Sequence, residues 1–117
     1  MWSDKTILKY IKNTCPGHIH IIKTEELTFH GFPRQPDYAE IKITVKPDEK
    51  AIELKSVKEY LKQFREEHLS YERLLNIIYD DFKEVYEPKS LKIVLNPKVR
   101  GGLESILIKE EMEKEIC

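Results

Sequence analysis

From Ala39 to Val45 the chain alternates strictly: Ala39, Ile41, Ile43 and Val45 are apolar, and Glu40, Lys42 and Thr44 between them are polar. Period two is the pattern of a strand with one face buried and the other in water. Downstream the period changes. Val57, Tyr60, Leu61 and Phe64 recur at helical spacing, and Leu74, Leu75, Ile78, Phe82 and Val85 form a second apolar stripe that stops at Pro88. Leu91, Ile93 and Leu95 then return to alternation. One-faced strands on either side of two one-faced helices have few ways to pack. The arrangement expected is an antiparallel sheet with both helices on its buried face, an α+β domain.

The rest of the chain fills in around this frame. Ser3 is placed to cap an N-terminal helix reaching about Asn13, so residues 1–15 read as a helical extension. Pro16-Gly17 breaks the chain, and His18–Thr24 and Glu26–His30 are strand-like but irregular. Pro47-Asp48-Glu49 reads as a hairpin turn, with Ala51–Leu54 as the short return strand. Ser56 and Ser70 are placed as N-caps of the two helices. Pro97–Gly102 is a turn, Leu103–Ile108 a strand, and 109–117 a charged tail whose Lys109–Glu115 run is a solvated face. The whole reads as one domain in the order ββααββ, with a four-stranded sheet. Such a sheet has two open edges, which proteins cover, charge or close into a ring.

Composition bounds the function. The chain has 117 residues, with 20 Lys+Arg against 21 Asp+Glu. That balance lacks the basic excess of a dedicated nucleic-acid or anionic-membrane binder, so no direct nucleic-acid partner is expected. No apolar run approaches the roughly 20 residues that span a bilayer, and the first residues lack a signal-peptide layout, so a cytoplasmic location is expected. Cys15 and Cys117 are too few for a disulfide scaffold.

Glycine-rich phosphate loops are absent, so the chemistry has to come from polar residues in strand and turn contexts. Asp37 follows a stretch restricted by Pro33 and Pro36 and suits a general acid or base; as an isolated turn aspartate it equally suits bonding its own backbone. Lys55 and Lys58 place positive charge at a helix start, where a phosphate is welcome and where solvated lysines are also ordinary. Glu72 lies in the first turn of the second helix, favoured there by the dipole and also able to accept two hydrogen bonds from an amino-pyrimidine edge. His18, His20 and Cys15 are zinc-ligand types, but their spacing fits no standard site and no metal is expected.

Together, Gln35-Pro36-Asp37-Tyr38-Ala39-Glu40-Ile41, Glu53-Leu54-Lys55-Ser56-Val57-Lys58-Glu59-Tyr60-Leu61, Phe64-Arg65, Glu72 and Arg100-Gly101-Gly102 resemble the QueF-type nitrile reductases. These are the NADPH-dependent 7-cyano-7-deazaguanine reductases of queuosine biosynthesis, a tRNA modification. The resemblance runs from about Pro16 to Ile108 in family order. It implies the tunnelling fold (T-fold), in which ββααββ units join into a ring with sites at subunit interfaces, hence a homo-oligomer. It implies Glu72 as the anchor of a deazaguanine, purine or pterin base and Asp37 as the acid. It also implies NADPH held by Glu53, Lys55, Ser56 and Lys58, with Arg100, Gly101 and Gly102.

Two positions depart from the family. Its nucleophilic cysteine lies about seven residues before the aspartate and attacks the nitrile to give a thioimide. Counting back from Asp37 reaches His30 without a gap, or Gly31 with one. The family's histidine beside the base-binding glutamate is Tyr71 here. Tyr71-Glu72-Arg73-Leu74 is similar to a segment of GTP cyclohydrolase I, another T-fold enzyme, but the cysteine of that enzyme's zinc set is missing. The alternatives to nitrile reduction are non-redox chemistry on a pterin or deazapurine, with Asp37, His30 and Tyr71 as acid–base groups, and a silent base-binding subunit.

Overall fold

The computed structural model describes residues 3–31, 35–99 and 101–111, with the side chains at 26, 31 and 35–37 outside the description. Strand β1 is Tyr10–Lys12, β2 His20–Gly31, β3 Gln35–Lys46 and β4 Lys50–Ile52. Helix α1 (Leu54–Lys62) and helix α2 (Tyr71–Tyr86) follow, and β5 (Ser90–Pro97) and β6 (Leu107–Glu110) complete the order. The main sheet is antiparallel in the order β2-β3-β5-β6, and β1 and β4 form a separate two-stranded sheet.

The alternation in β3 does what its period requires. Ile41 pairs with Leu95, Ile43 with Ile93 and Val45 with Leu91. These apolar pairs share one face and join Val57, Tyr60, Phe64, Leu74, Ile78 and Phe82 of the helical layer in a single buried cluster. The sheet carries its helices on that face alone, as expected. Phe82 lies against Tyr60 and Tyr86, whose ring centroids are 5.8 and 5.5 Å away. Ring pairs at this range add to the area they bury.

The irregular pattern before β3 has a single cause. Thr24 pairs with Ile41 and Leu27 with Ala39, so residues 25 and 26 stand opposite residue 40 alone. This is a β-bulge, and the extra residue shifts the inward-facing set from even numbers to odd ones. Ile22 and Thr24 face the helices before it, Leu27 and Phe29 after it. A strict period-two template breaks at such a point although the strand continues.

Four expectations are corrected. The N-terminal segment is no helix to Asn13. It forms a 3-10 turn at Lys5–Ile7 capped by Asp4, then β1. The Lys9 backbone is captured instead by tertiary partners: its N–H donates to the Ser56 hydroxyl at 2.9 Å, and its carbonyl accepts from Glu53 N–H at 3.1 Å and from the Tyr86 hydroxyl at 2.9 Å. The return strand after Pro47 does not pair with β3, because β2 and β5 already occupy both of its edges; β4 pairs with β1. Ser56 is not the cap of α1. Glu53 is, and its two carboxylate oxygens accept from Lys55 N–H at 3.0 Å and Ser56 N–H at 2.8 Å. The last strand begins at Leu107, so Lys109 and Glu110 are sheet residues and 104–106 are exposed; the tail from 112 lies outside the described residues. Ser70 does cap α2, accepting from Arg73 N–H at 3.2 Å.

Candidate functional site

One end of the main sheet collects the ends of several elements. Because β3 is antiparallel to both neighbours, its first residues lie beside the last residues of β2 and β5: Asp37 is opposite Phe29, and Ala39 is opposite Pro97. The start of α2 reaches the same place, with Tyr71 edge-on to Phe29 at 5.6 Å between ring centroids. The connection between the helices is stitched to the end of β2. His30 N–H donates to the Glu67 carbonyl at 2.8 Å, and Leu69 N–H donates to the His30 carbonyl at 3.0 Å.

This stitching brings together residues far apart in sequence. The His30 and His68 rings are 5.2 Å apart, and His30 Nε2 lies 3.6 Å from a Glu66 carboxylate oxygen. That distance is an ion pair when the imidazole is protonated, and too long for a hydrogen bond. The His30 side chain is 27% exposed, held at its backbone yet open at its ring. Glu72 follows Tyr71 on α2, exposed and in the first turn. The cluster therefore sets two imidazoles side by side, near carboxylates that can accept from a ligand.

Of the residues singled out from sequence, His30, Tyr71 and Glu72 come to this end, and the Asp37 backbone is placed there while its side chain lies outside the described residues. Gly101 and Gly102 form an exposed turn beyond β5, with φ of +60° and +78°, values that favour glycine. Arg100 lies outside the described residues. The set Glu53, Lys55, Ser56 sits at the far end of α1 and is built for structure. The buried Ser56 hydroxyl donates to the Glu53 carbonyl at 2.7 Å and accepts from Lys9 N–H, while Glu53 occupies the helix amides that a phosphate would need. Lys55 is exposed.

Between α1 and β2 runs a groove of about 770 Å³. Ile22, Leu27, Val57 and Leu61 give it an apolar floor; His20, Lys23, Lys58, Lys62 and Arg65 line it with basic groups, against the carboxylate of Glu25 among the described residues. Lys23 is 3.5 Å from Glu40, and Lys62 is 3.3 Å from Glu59. Lys58 and Arg65 carry no ion pair among the described residues. Burial first, and then the neighbouring His18, hold the His20 imidazole below its ordinary value. Sequence reasoning assigned no role to Glu66, His68, Lys62 or Arg65. Arg65 stands in the Phe64-Arg65 segment of the resemblance and Lys62 in the last turn of α1, whereas Glu66 and His68 have only a charged run between two helices as a local signal, and the stitching to β2 gives it meaning.

Among the described residues no cluster of three or more His, Cys, Asp or Glu side chains is arranged to hold a metal. The His18 ring instead bonds the Cys15 carbonyl at 2.6 Å through Nδ1. No helix among the described residues is long and apolar enough to cross a membrane.

Comparison with known proteins agrees with the fold. A family model described as QueF-like protein matches residues 36–115. An NADPH-dependent 7-cyano-7-deazaguanine reductase of Chlorobium phaeobacteroides is 35% identical over 102 residues, covering 85% of this chain and 88% of that one. A protein of the same name from Chlorobaculum parvum is 34% identical over 115 residues, covering 95% and 99%. The crystal structure of an archaeosine synthase QueF-Like in the apo form superposes with a TM-score of 0.73 at 16% identity, covering 79% of this chain and 91% of that one. At that identity the superposition speaks for the fold alone, which is the T-fold architecture. The family model and the relatives' coverage are sufficient: this chain belongs to the QueF-like protein family.

Proposed function

We propose that this protein is a homo-oligomeric enzyme acting on a 7-cyano-7-deazaguanine-type base, with an NADPH nucleotide in the α1–β2 groove and proton transfer supplied by His30. The observation that carries the reading is the convergence of His30, His68, Glu66, Tyr71 and the Glu72-bearing helix start at the end of β2. Glu72 is exposed and fixed in a helix, so it can accept two hydrogen bonds from the base's amino-pyrimidine edge. The relatives' names give the substrate class and the cofactor.

The groove fits a dinucleotide in one respect and not in another. Its apolar floor suits a flat ring, and Lys58 and Arg65, which carry no ion pair among the described residues, suit phosphates. The amides at the start of α1 are taken by Glu53, so a phosphate is met by side chains and not by the helix end. Lys58 keeps the role that the resemblance gives it; Glu53 and Ser56 act by shaping α1. NADPH, when bound, supplies hydride to the substrate. What this chain supplies is orientation and protons: His30 holds or releases a proton at Nε2, with the Glu66 carboxylate 3.6 Å away and the His68 ring beside it. No thiol stands at His30, so the reaction proceeds without a thioimide.

Association is supported by the sheet edges. β2 and β6 are the two outer strands and differ from one another, and Ile21 (56% exposed) and Ile108 (55%) stand on them. Joining β6 of one copy to β2 of the next continues the antiparallel order and is heterologous, so it closes only as a ring.

Thermal-shift titration with 7-cyano-7-deazaguanine, guanine and a pterin tests the pocket. The cyano-deazaguanine is expected to stabilise the protein most, and Glu72→Ala to abolish the shift. No stabilisation by any base, or a shift unchanged in Glu72→Ala, overturns the base reading. Loss of NADPH absorbance with the nitrile present tests reduction, and a bound base with no NADPH consumption points to the non-redox reading that the imidazole pair favours. Light scattering in solution tests the ring; a monomer at micromolar concentration excludes it.

A further inference from the structure

We infer that His30, His68 and Glu66 form a site for a divalent cation of the zinc class, where the connection between the helices meets the end of β2. The inference stands apart from whichever base or nucleotide the protein binds. Its frame is the backbone. His30 and His68 form a parallel bridge, closed by His30 N–H on the Glu67 carbonyl at 2.8 Å and by Leu69 N–H on the His30 carbonyl at 3.0 Å. Residues bridged in this way carry their side chains on the same face. The bulge at residues 25 and 26 decides which face that is. It turns Leu27 and Phe29 inward, so His30 points away from the helices, and His68 with it.

The spacings are those of groups around a shared ion. The Glu66 carboxylate oxygen is 3.6 Å from His30 Nε2, too long for a hydrogen bond. Two ligand atoms each about 2.1 Å from one ion, at a tetrahedral angle, are about 3.4 Å apart. Two imidazoles on such an ion have ring centres about 5 Å apart. Those of His30 and His68 are 5.2 Å apart. As they stand, the three side chains are not arranged to hold an ion. Rotation of His68 and Glu66 about their own side-chain bonds closes the site; both are exposed, Glu66 by 84%, and the bridged backbone stays in place. Two imidazoles and a carboxylate suit zinc, cobalt or nickel better than magnesium or calcium. Three protein ligands leave a fourth position for water or a ligand. Ion and proton compete for His30 Nε2, so a filled site takes that nitrogen out of proton transfer. His18 and His20 are a poorer pair, with ring centres 6.5 Å apart and His18 Nδ1 held on the Cys15 carbonyl.

The test is zinc uptake by the full-length, tag-free protein after dialysis against a chelator, measured by calorimetry, with cobalt absorbance as a second readout. Wild type is expected to bind one such ion per chain, to melt at a higher temperature with zinc, and to give the intense visible bands of four-coordinate cobalt. His30→Ala and His68→Ala should each lose that ion, and Glu66→Gln should hold it at least about tenfold more weakly. Metal-free melting temperatures equal to that of wild type show that the variants are folded. Should His30→Ala fail to fold, His68→Ala and Glu66→Gln decide, since both replace exposed side chains. Cys15→Ser and His20→Ala should keep the ion. No zinc uptake by wild type, uptake unchanged in His68→Ala, or uptake lost in Cys15→Ser or His20→Ala overturns the inference.

Discussion

The Tyr60 hydroxyl donates to the Asp81 carboxylate at 2.6 Å, joining α1 to α2 inside the helical layer. The same carboxylate oxygen accepts from the Ser3 hydroxyl at 2.7 Å. Asp81 is 8% exposed and Tyr60 fully buried, so the charge is kept in the core by two donors from distant parts of the chain. Burial and the carboxylate both push the Tyr60 hydroxyl far above its ordinary range, which keeps it a donor. Tyr60→Phe removes the buried donor and leaves the carboxylate under-satisfied, an expected loss of about 1–3 kcal/mol. Ser3→Ala removes a half-exposed donor that water replaces, and should lose less, about 1 kcal/mol. Urea denaturation of both variants at constant m-value checks the order. A larger loss for Ser3→Ala would mean that Asp81 is not anchored through α1.

Glu53 distinguishes a structural reading from a ligand reading of the same motif. Its carboxylate caps two amides of α1, and a capping residue replaced by alanine loses about 0.5–2 kcal/mol. Glu53→Ala should lose stability in this range with no nucleotide present. Glu53→Asp, which keeps an oxygen at the cap, should recover most of that stability and retain NADP+ affinity. If Glu53→Ala is as stable as wild type yet loses nucleotide binding, the residue touches the ligand and the capping account is wrong.

Much of this was legible because the strong signals were periodic. The alternation of β3 and β5 and the apolar stripes of both helices specify faces, and faces specify the layer order. The signals that failed were those that needed to know a neighbour. Nothing local tells Lys50–Ile52 that β3 has no free edge, or tells Lys9 that Ser56, Glu53 and Tyr86 will take its backbone. The site divides the same way. His30, Tyr71 and Glu72 could be named from the residues and their resemblance to a family, whereas Glu66 and His68 belong to the site only because the inter-helix connection bonds to the end of β2. Ser56 shows the opposite error: a cap and a ligand look alike in sequence, and its buried hydroxyl is neither.

His20 gives the fold a dependence on pH. Its imidazole is held below the ordinary value of 6.5, chiefly by burial and secondarily by His18. Between the lowered value and 6.5 the unfolded chain binds more protons than the folded one, so stability rises with pH across that window and is lost as pH falls through it. Above the window the group is neutral in both states and contributes no slope. Thermal melts at a series of pH values should show the midpoint falling below about pH 6.5, and His20→Gln should flatten that decline. A variant with the same slope as wild type would assign the effect to another group.

Restoring a thiol at position 30 tests whether His30 stands where the chemistry of the relatives is carried out. The backbone there is fixed on both sides by Glu67 and Leu69, so His30→Cys changes the side chain and leaves the frame in place. A thiol added to a nitrile forms an S–C bond while its proton passes to nitrogen, and nothing leaves. The expected result with 7-cyano-7-deazaguanine is therefore an adduct heavier than the variant by the whole mass of the base, seen under denaturing conditions. Wild type and His30→Ala should give none, which also controls for the exposed Cys15. Glu66 beside position 30 disfavours the thiolate, so adding Glu66→Gln should speed formation of the adduct. If the base binds the cysteine variant and no adduct forms across neutral and alkaline pH, residue 30 does not face the nitrile, and the proton-transfer role proposed for His30 falls with it.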